Sequence, residues 1–183
     1  MKEVKTIITY PNDILRARMP EGEVSKKEIE ELSFILNEEK NAAGLAANQI
    51  GLKKRFFGIK NSDNGKTEIY VDPEITKFYG EKTFPELIDD KNKREEFLEG
   101  CLSFPEIFGA VQRYLKIGVK WKDGETILKG FNAIVFQHEL DHLNGIVLVD
   151  RVKESSGKLY RISGGKKEEI SLPDCLGQFE EFH

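Results

Sequence analysis

Two histidines four residues apart constrain this chain more than any other feature of its sequence. Residues 138–142 read His-Glu-Leu-Asp-His, an H-E-x-x-H pattern. On a helix, residues four apart share a face, so both imidazoles can bind one metal ion while Glu139 lies beside it, near a coordinated water. The fold must then supply a helix here and a third ligand elsewhere, since a catalytic metal ion usually has three protein ligands and one open position.

The surroundings of this pattern favour a metal site over a chance match. Ile134 lies one helical turn before His138 on the same face, and two of the three histidines of the chain lie within the five-residue pattern. The alternative is a pair of helix histidines whose ring nitrogens are satisfied by local hydrogen bonds. We expect the helix to have Asn132 as its N-cap and to end near Asn144, with Gly145 as its C-terminal cap.

The third ligand is not obvious from the downstream sequence. Metzincin sites need a histidine at a fixed spacing after a glycine, and Gly145 is not followed by one. A thermolysin-type site needs a downstream glutamate, and every glutamate after His142 lies in the polar tail. Upstream, Cys101 follows a glycine among apolar residues. A lone cysteine is more often a small buried hydrophobic residue, but here it is the best candidate for the missing ligand.

The composition limits the classes to which the chain can belong. Its 183 residues suit one domain, and a net charge of −4 argues against nucleic-acid binding, which needs excess cations to displace counterions from phosphates. No apolar run approaches the ~20 residues of a membrane span, and the N-terminus lacks a secretory signal. Cys101 and Cys175 make a weak disulfide framework, so we expect a cytoplasmic protein with no membrane association.

The remaining pattern predicts an α+β fold with many short strands. A capping box at Ser25 and Glu28 predicts a helix that runs to about Asn41. The other expected elements are strands at 6–9, 56–59, 69–71 and 146–149, a hairpin over 115–128 with positive φ at its Asp-Gly turn, and a small hairpin around 163–165.

Three segments, taken together, resemble the peptide deformylases. They read Gly-Leu-Ala-Ala-Asn-Gln at 44–49, Glu-Gly-Cys-Leu-Ser at 99–103 and Gln-His-Glu-Leu-Asp-His-Leu at 137–143, in the order in which that family carries its motifs. The similarity covers about residues 5–152. It implies an α+β fold with small mixed or antiparallel sheets around a central metal-binding helix.

The resemblance also implies a domain organisation. A catalytic domain would cover residues 1–152, and a polar extension with a small hairpin would cover 153–183. Within the catalytic domain, the charge-dense residues 79–98 have few apolar anchors and are expected to form an exposed insertion or loop.

The activity implied by the resemblance is removal of the formyl group from the N-terminal formyl-methionine of nascent polypeptides, with release of formate. Its metal ligands would be Cys101, His138 and His142. The native ion would be Fe²⁺, with Zn²⁺, Ni²⁺ or Co²⁺ in some preparations. Formyl-methionyl peptides are the implied partners, and the ribosome is a further candidate partner.

Catalytic roles are carried over in the same way. Glu139 would act as general base and then as general acid. The Gln49 side-chain amide and the Leu102 backbone N–H would donate to the oxyanion, each worth ~3 kcal/mol. Arg113 would pair with Glu99 and fix the ligand loop, the alternative being a simple surface ion pair.

Substrate binding is implied for an apolar pocket and for main-chain groups. The pocket would hold the methionine side chain, although its residues could equally be ordinary core: Ala43, Phe97, Phe131, Ile134 and Val135. The peptide backbone would pair, as an added strand, with groups near Ala43, Gly44, Leu45 and Gly100.

Two positions depart from the usual first motif of the family. Ala42 replaces its first glycine, which would cost about 1 kcal/mol or more if the backbone needs a positive φ there. Ala43 is small where a larger apolar residue is common, so a wider pocket would admit a metallopeptidase or an amidohydrolase acting on another small N-acyl group. The non-enzymatic alternative is a partner-binding module with a structural metal, which the presence of Glu139 and Gln49 disfavours.

Overall fold

Five α-helices and twelve strands form within residues 6–88 and 94–180, the parts of the chain that the computed structural model describes. The helices are α1 (Asp13–Arg16), α2 (Lys26–Glu38), α3 (Gly130–Leu143), α4 (Leu148–Glu154) and α5 (Leu172–Glu180), and a 3-10 helix covers Ala47–Ile50. The strands are β1 (Gly44–Ala46), β2 (Phe56–Lys60), β3 (Thr67–Val71), β4 (Glu74–Phe78), β5 (Glu86–Ile88), β6 (Arg94–Glu96), β7 (Glu99–Cys101), β8 (Phe104–Gly109), β9 (Lys116–Trp121), β10 (Gly124–Lys129), β11 (Leu159–Ser163) and β12 (Lys166–Ile170).

The strands form four small sheets, and every pairing among the described strands is antiparallel. Their orders are β1-β2-β3, β10-β9-β4, β12-β11-β8-β7 and β5-β6. Helix α3 packs against strands of the first two sheets. The predicted α+β class, with small sheets around a central helix, is confirmed.

Helix α3 carries the H-E-x-x-H pattern and is buried on nearly every face. Phe136 packs edge-on against Phe57 and Tyr70, with ring centroids 5.1 and 5.2 Å away. Ile117 and Val119 of β9 belong to the same cluster. Because each buried large apolar side chain contributes about 1.5–3 kcal/mol, this packing stabilises the position of the motif helix.

The two ends of α3 differ in how well the sequence predicts them. Gly145 has a φ of 73°, as expected of a C-terminal glycine cap. The predicted N-cap is wrong, because Lys129 is the N-cap and Asn132 lies inside the helix. The Asn132 side chain instead accepts hydrogen bonds from the backbone N–H of Ser62, at 2.9 Å, and from its hydroxyl, so it ties α3 to the loop after β2.

Helix α2 begins where the sequence predicts. Ser25 and Glu28 form the expected capping box, with the Ser25 N–H donating to Glu28 Oε2 at 2.8 Å. Leu32, Ile35 and Leu36 form its buried stripe. The helix ends at Glu38, a few residues earlier than predicted.

The hairpin of β9 and β10 is also confirmed, but the explanation of its turn is not. Gly124 pairs with Trp121 as the first residue of β10, so the turn consists of residues 122–123. Gly124 does not have a positive φ. A Cβ there would lie 3.0 Å from the Trp121 ring, so the close approach of the indole favours glycine at this position.

Two predicted strands are wrong. Residues 6–9 have no regular secondary structure and belong to no sheet; the Ile8 N–H donates to the Gln49 carbonyl at 2.8 Å. Residues 146–149 lead into helix α4, where Leu148 and Val149 are buried. A short apolar run has no periodicity that separates a buried strand from a buried helix turn.

The charged insertion contains the small sheet of β5 and β6, and Leu87 within it is 55 % exposed. Residues 89–93, at its centre, lie outside the described residues. The predicted hairpin around 163–165 is confirmed as β11 and β12, and β11 pairs with β8. Within the described residues, no helix is long and apolar enough to cross a membrane.

Candidate active site

One large cavity brings together most of the residues that the sequence analysis singled out. Its volume is about 660 Å³, and residues of β1, β7 and α3 line it. The predicted site residues on its wall are Ala43, Gly44, Gln49, Phe97, Glu99, Gly100, Cys101, Leu102, Phe131, Ile134, Val135, His138 and Glu139. Leu45, Arg113 and His142 are not on the wall, and all three are buried next to residues that are.

Cys101, His138 and His142 place three ligand atoms within 4.8 Å of one another. Cys101 Sγ lies 3.2 Å from His142 Nε2, and the centroids of the two imidazole rings are 5.1 Å apart. Ligand atoms bound at about 2.0–2.3 Å to one tetrahedral ion lie roughly 3.3–3.8 Å apart. One thiolate and two imidazoles suit Zn²⁺, Fe²⁺ and related ions, so the donor set and its spacing fit one divalent cation.

The ring of His138 is oriented by a buried carboxylate. His138 Nδ1 lies 2.8 Å from Glu99 Oε2, and because a carboxylate only accepts, Nδ1 carries the proton and Nε2 is available to a metal ion. Burial opposes the charged form of Glu99, but the charge and hydrogen bonds of Arg113, and then those of His138, outweigh it and lower the pKa of Glu99 to about 2. Glu99 is therefore an anion that fixes one ligand ring.

Arg113 connects β7, the strand that carries Glu99 and Cys101, to helix α3. Its Nε and Nη2 donate to the two oxygens of Glu99 at 2.7 and 2.9 Å, and its Nη1 donates to Asp141 at 2.6 Å. Arg151 of α4 donates to the same Asp141 from Nε at 2.9 Å. The sequence analysis paired Arg113 with Glu99 but missed Asp141 and Arg151, since nothing in their spacing predicts that both meet Arg113 in space.

Glu139 lies across the backbone of β1. A Cβ on Gly44 would lie 2.5 Å from Glu139 Oε1, so a side chain at this position would force the Glu139 carboxyl group to move. Glu139 is 4 % exposed, and its Oε2 has no hydrogen-bond partner among the described residues. Burial raises the pKa of Glu139 to about 7. A buried carboxylate oxygen without a partner among the described residues, on the same cavity wall as Cys101 and His138, can accept and release a proton.

The amide of Gln49 is oriented at both ends. Its Oε1 accepts a hydrogen bond from the Ala46 N–H at 2.9 Å, so its nitrogen points towards β7, the strand that carries Cys101. Gln49 Nε2 donates to Ser103 Oγ at 3.1 Å and lies 3.7 Å from Cys101 Sγ. Ser103 Oγ donates in turn to the Ile8 carbonyl at 2.8 Å. The sequence analysis missed Ser103 as a site residue, although it lies in the same segment as the cysteine.

The rest of the wall is mostly apolar. Leu102 follows the cysteine in the turn between β7 and β8. Phe97 and Phe131 pack edge-on with ring centroids 5.9 Å apart, and Phe131 remains 39 % exposed. Ile134 and Val135 are buried in the N-terminal half of α3, the helix that carries the histidines. These side chains form an apolar recess next to the ligand atoms.

The expectations for residues 42–45, a backbone cost at Ala42 and main-chain pairing with the peptide near Ala43 and Leu45, change in part in the structure. Ala42 does not have a positive φ, so the backbone cost anticipated for this alanine does not arise. The Ala43 carbonyl already accepts a hydrogen bond from the Lys60 N–H at 2.8 Å. Leu45 belongs, with Leu32 and Leu36, to the core cluster under α2.

The family model that matches this chain and the relatives described next are all peptide deformylases. Residues 4–158 match the polypeptide deformylase family. A peptide deformylase of Aquifex aeolicus is 37 % identical over 162 residues, which cover 82 % of this chain and 88 % of the relative. A peptide deformylase of Leptospira biflexa is 33 % identical, with 94 % of this chain and 98 % of the relative covered.

Solved structures agree with the sequences. The crystal structure of the Thermotoga maritima peptide deformylase superimposes with a TM-score of 0.67 at 31 % identity, over 81 % of this chain and 97 % of that one. A Plasmodium falciparum peptide deformylase gives a TM-score of 0.72 at 27 % identity, over 96 % and 95 % of the two chains. The chain therefore belongs to the peptide deformylase family, metal-dependent hydrolases that remove the N-formyl group from nascent polypeptides.

Proposed function

We propose that this chain deformylates formyl-methionyl peptides with Glu139 as its proton-transfer group and Cys101, His138 and His142 as its metal ligands. One observation carries the assignment: the three ligand atoms, the Gln49 amide and a Glu139 oxygen with no hydrogen-bond partner in the described part of the chain meet beside one cavity. A structural metal site needs neither that carboxylate nor that amide, so the arrangement supports catalysis.

The proposed native ion is Fe²⁺, and the same donors would accept Zn²⁺, Ni²⁺ or Co²⁺. When bound, such a cation supplies Lewis acidity, which lowers the pKa of a coordinated water and polarises the formyl carbonyl. Cys101 must be a thiolate to act as a ligand, and its oxidation would remove it. A reducing cytoplasm, where nascent chains leave the ribosome, is therefore the proposed setting.

Glu139 performs the two proton transfers of the reaction. It takes a proton from water as the oxygen attacks the formyl carbon, and it gives that proton to the amine nitrogen as the C–N bond breaks and formate leaves. Such general acid–base catalysis contributes about 10²–10⁴-fold to the rate. The absent side chain of Gly44 provides the space in which this carboxylate lies.

The formyl oxygen gains negative charge as its carbon becomes tetrahedral. Gln49 Nε2 and the Leu102 backbone N–H are the proposed donors to that oxygen, each worth about 3 kcal/mol. Glu99 and Arg113 act indirectly, because they fix the tautomer and orientation of the His138 ring. Partners of this kind typically change metal affinity by about 10–100-fold.

Two parts of the cavity are assigned to the peptide. The apolar recess would take the methionine side chain; its proposed residues are Ala43, Phe97, Phe131, Ile134 and Val135. Strands β1 and β7 are both at the edges of their sheets, so an extended peptide can pair with their main chains. The proposed main-chain positions are Ala43, Gly44, Leu45 and Gly100.

A peptide panel tests this function. The chain, loaded with Fe²⁺ under anaerobic conditions, is assayed on one methionyl peptide with a formyl, an acetyl or a free N-terminus. We expect formate from the formyl peptide and no product from the other two. Acetate or internal cleavage would instead support the wider-pocket alternatives. Metal binding without any product would support a partner-binding module.

A further inference from the structure

The two histidine ligands of the proposed metal site are held in different ways. The ring of His138 is fixed by a carboxylate, since its Nδ1 lies 2.8 Å from Glu99 Oε2. The Nδ1 atom of His142 is buried and has no hydrogen-bond partner among the described residues. In metal sites, the second nitrogen of a ligating imidazole normally donates to a partner that sets the orientation of the ring. The position of the His142 ring therefore depends on the backbone that carries it.

The backbone of His142 is bound by the side chain of Asn48. His142 lies in the last turn of α3, where carbonyl groups have no partner further along the same helix. Asn48 Nδ2 donates to the His142 carbonyl oxygen at 2.8 Å. N–H groups just after the helix, including that of Gly145 at 3.2 Å, also face this oxygen. Those groups belong to the same stretch of chain, whereas Asn48 ties His142 to another element of the fold.

Asn48 itself has a fixed orientation. The residue is fully buried, and its Nδ2 also donates to the Ile14 carbonyl of α1 at 3.3 Å. Because both neighbours are carbonyl groups, which only accept, the amide can meet them only with its nitrogen. Its Oδ1 has no hydrogen-bond partner within the described ranges. The side chain therefore joins α1, the 3-10 helix and the end of α3 through its two N–H groups.

The 3-10 helix that contains Asn48 also carries Gln49, the proposed donor to the oxyanion. Gln49 follows Asn48 directly, and its Nε2 lies 3.7 Å from Cys101 Sγ. One hydrogen bond thus connects the element that presents this donor to the ligand His142. A donor stabilises developing charge only when it is held in place beforehand. The contact between Asn48 and His142 is suited to that task.

We propose that Asn48 is a positioning residue, whose amide holds His142 in place as a metal ligand and keeps Gln49 in register with it. This inference rests on the proposed function and adds a residue to its mechanism. Asn48 does not line the cavity, so it acts through its two neighbours and not on the peptide.

Asn48→Ala tests this role in the Co²⁺-loaded protein, whose ligand-field and thiolate charge-transfer absorption bands report the arrangement of the ligands. The substitution should shift these bands and speed removal of the ion by a chelator about 10-fold, as is typical when a group that orients a ligand is lost. With Fe²⁺ bound, kcat should fall about 10-fold with little change in KM, because the peptide pocket is untouched.

Asn48→Ser is the second variant, for use if the alanine variant does not fold. It leaves a smaller cavity, and its hydroxyl ends one bond short of the position of the Asn48 nitrogen. The contact with the His142 carbonyl is therefore lost here as well, and the cobalt bands, the chelation rate and kcat should change in the same direction.

Asn132→Ala is the matched control. Asn132 is also a buried asparagine that ties α3 to another segment, by accepting from the Ser62 N–H at 2.9 Å. It lies at the opposite end of α3 from His142. This variant should lower the melting temperature, since it loses comparable hydrogen bonds, but it should keep the wild-type cobalt bands, chelation rate and kcat.

The outcomes separate the two claims. Wild-type cobalt bands and chelation rate in the Asn48 variants, or shifts of the same size in Asn132→Ala, overturn the positioning role, and formate release by the wild type then leaves deformylation intact. A metal-loaded wild type that releases no formate overturns the proposed function, while the cobalt bands of the variants still test the link between Asn48 and His142.

Discussion

The amide of Gln49 is held from both sides, by the Ala46 N–H on its oxygen and by Ser103 on its nitrogen. Both contacts use groups of the first two motifs, so the nitrogen is directed towards Cys101 before substrate binds. Preorganised donors of this kind act in the transition state without reorganisation. We attribute the role of Gln49 to this fixed orientation.

Replacing Gln49 tests that role. Gln49→Ala should lower kcat by about 10²–10³-fold with little change in KM, because the donor acts on charge that develops only in the transition state. Steady-state formate release measures both constants. Gln112→Ala, a half-buried glutamine away from the cavity, is the control. A kcat close to that of the wild type in Gln49→Ala would remove Gln49 from the mechanism.

At the scale of residues, sequence reasoning works where a pattern fixes the chemistry. The two histidines and the glutamate of the H-E-x-x-H pattern share a short helix segment, so their grouping follows from helix geometry. Cys101 is predicted because the H-E-x-x-H pattern supplies only two of the three protein ligands that a catalytic metal ion usually has. Asp141 and Arg151 were missed, since their meeting with Arg113 depends on how α3 and α4 pack.

Strand β1 and helix α3 approach so closely that a methyl group on Gly44 would collide with the Glu139 side chain. Gly44→Ala places a Cβ within 2.5–2.8 Å of the Glu139 carboxyl group, so the carboxylate must move. We expect kcat/KM for deformylation to fall about 10²-fold, as for a displacement of a catalytic group by about 1 Å.

The control for this substitution is another glycine in the same molecule. Gly177 in α5 has open space around its Cβ position and no positive φ, so Gly177→Ala should keep full activity and leave stability equal or higher by up to about 1 kcal/mol. Thermal unfolding monitors both variants. Wild-type kcat/KM in Gly44→Ala would show that the carboxylate adapts or is not needed.

The docking of α5 can be measured through Cys175. This thiol is fully buried in the cluster of α4 and β11, and burial raises its pKa to about 11. The thiolate forms only as the pH rises through that value, so at about pH 8 a roughly 10⁻³ fraction is reactive. Iodoacetamide should leave Cys175 unmodified in the native protein and modify it after unfolding, as read by mass spectrometry. Rapid native labelling at pH 8 would show that α5 is not docked.

Elements with a periodic pattern and a defined start could be predicted, and elements without them could not. The capping box and apolar stripe of α2 gave its position, and strict alternation gave the hairpin of β9 and β10. Residues 146–149 were predicted as a strand, but Leu148 and Val149 pack as the first turn of α4. Tertiary packing decides such short runs, and a single sequence does not show it.

Across the whole molecule, a chain of charges, buried except for the half-buried Arg151, connects three elements to the proposed metal ligands. It runs from Arg151 on α4 through Asp141 on α3 and Arg113 to Glu99 on β7, which holds His138. Loss of one member would leave a partner charge buried without compensation, which typically costs about 3–5 kcal/mol. The ligand geometry is therefore a property of the fold as well as of the three motifs.

The whole architecture followed from the sequence only through the joint occurrence of three motifs. Periodicity alone gave the class, α+β. It did not give the pairing of β11 with β8, which brings Ser163 to Glu106, because sheet order across distant segments leaves no local pattern.

The most direct test of the account measures iron content and formate release on the same anaerobic samples of the wild type and Glu139→Gln. The account predicts equal iron content in both, because the ligands Cys101, His138 and His142 are unchanged. It predicts formate from the wild type and a rate at least about 10²-fold lower in the variant. Formate release by Glu139→Gln at the wild-type rate, or an iron-loaded wild type that releases none, would contradict it.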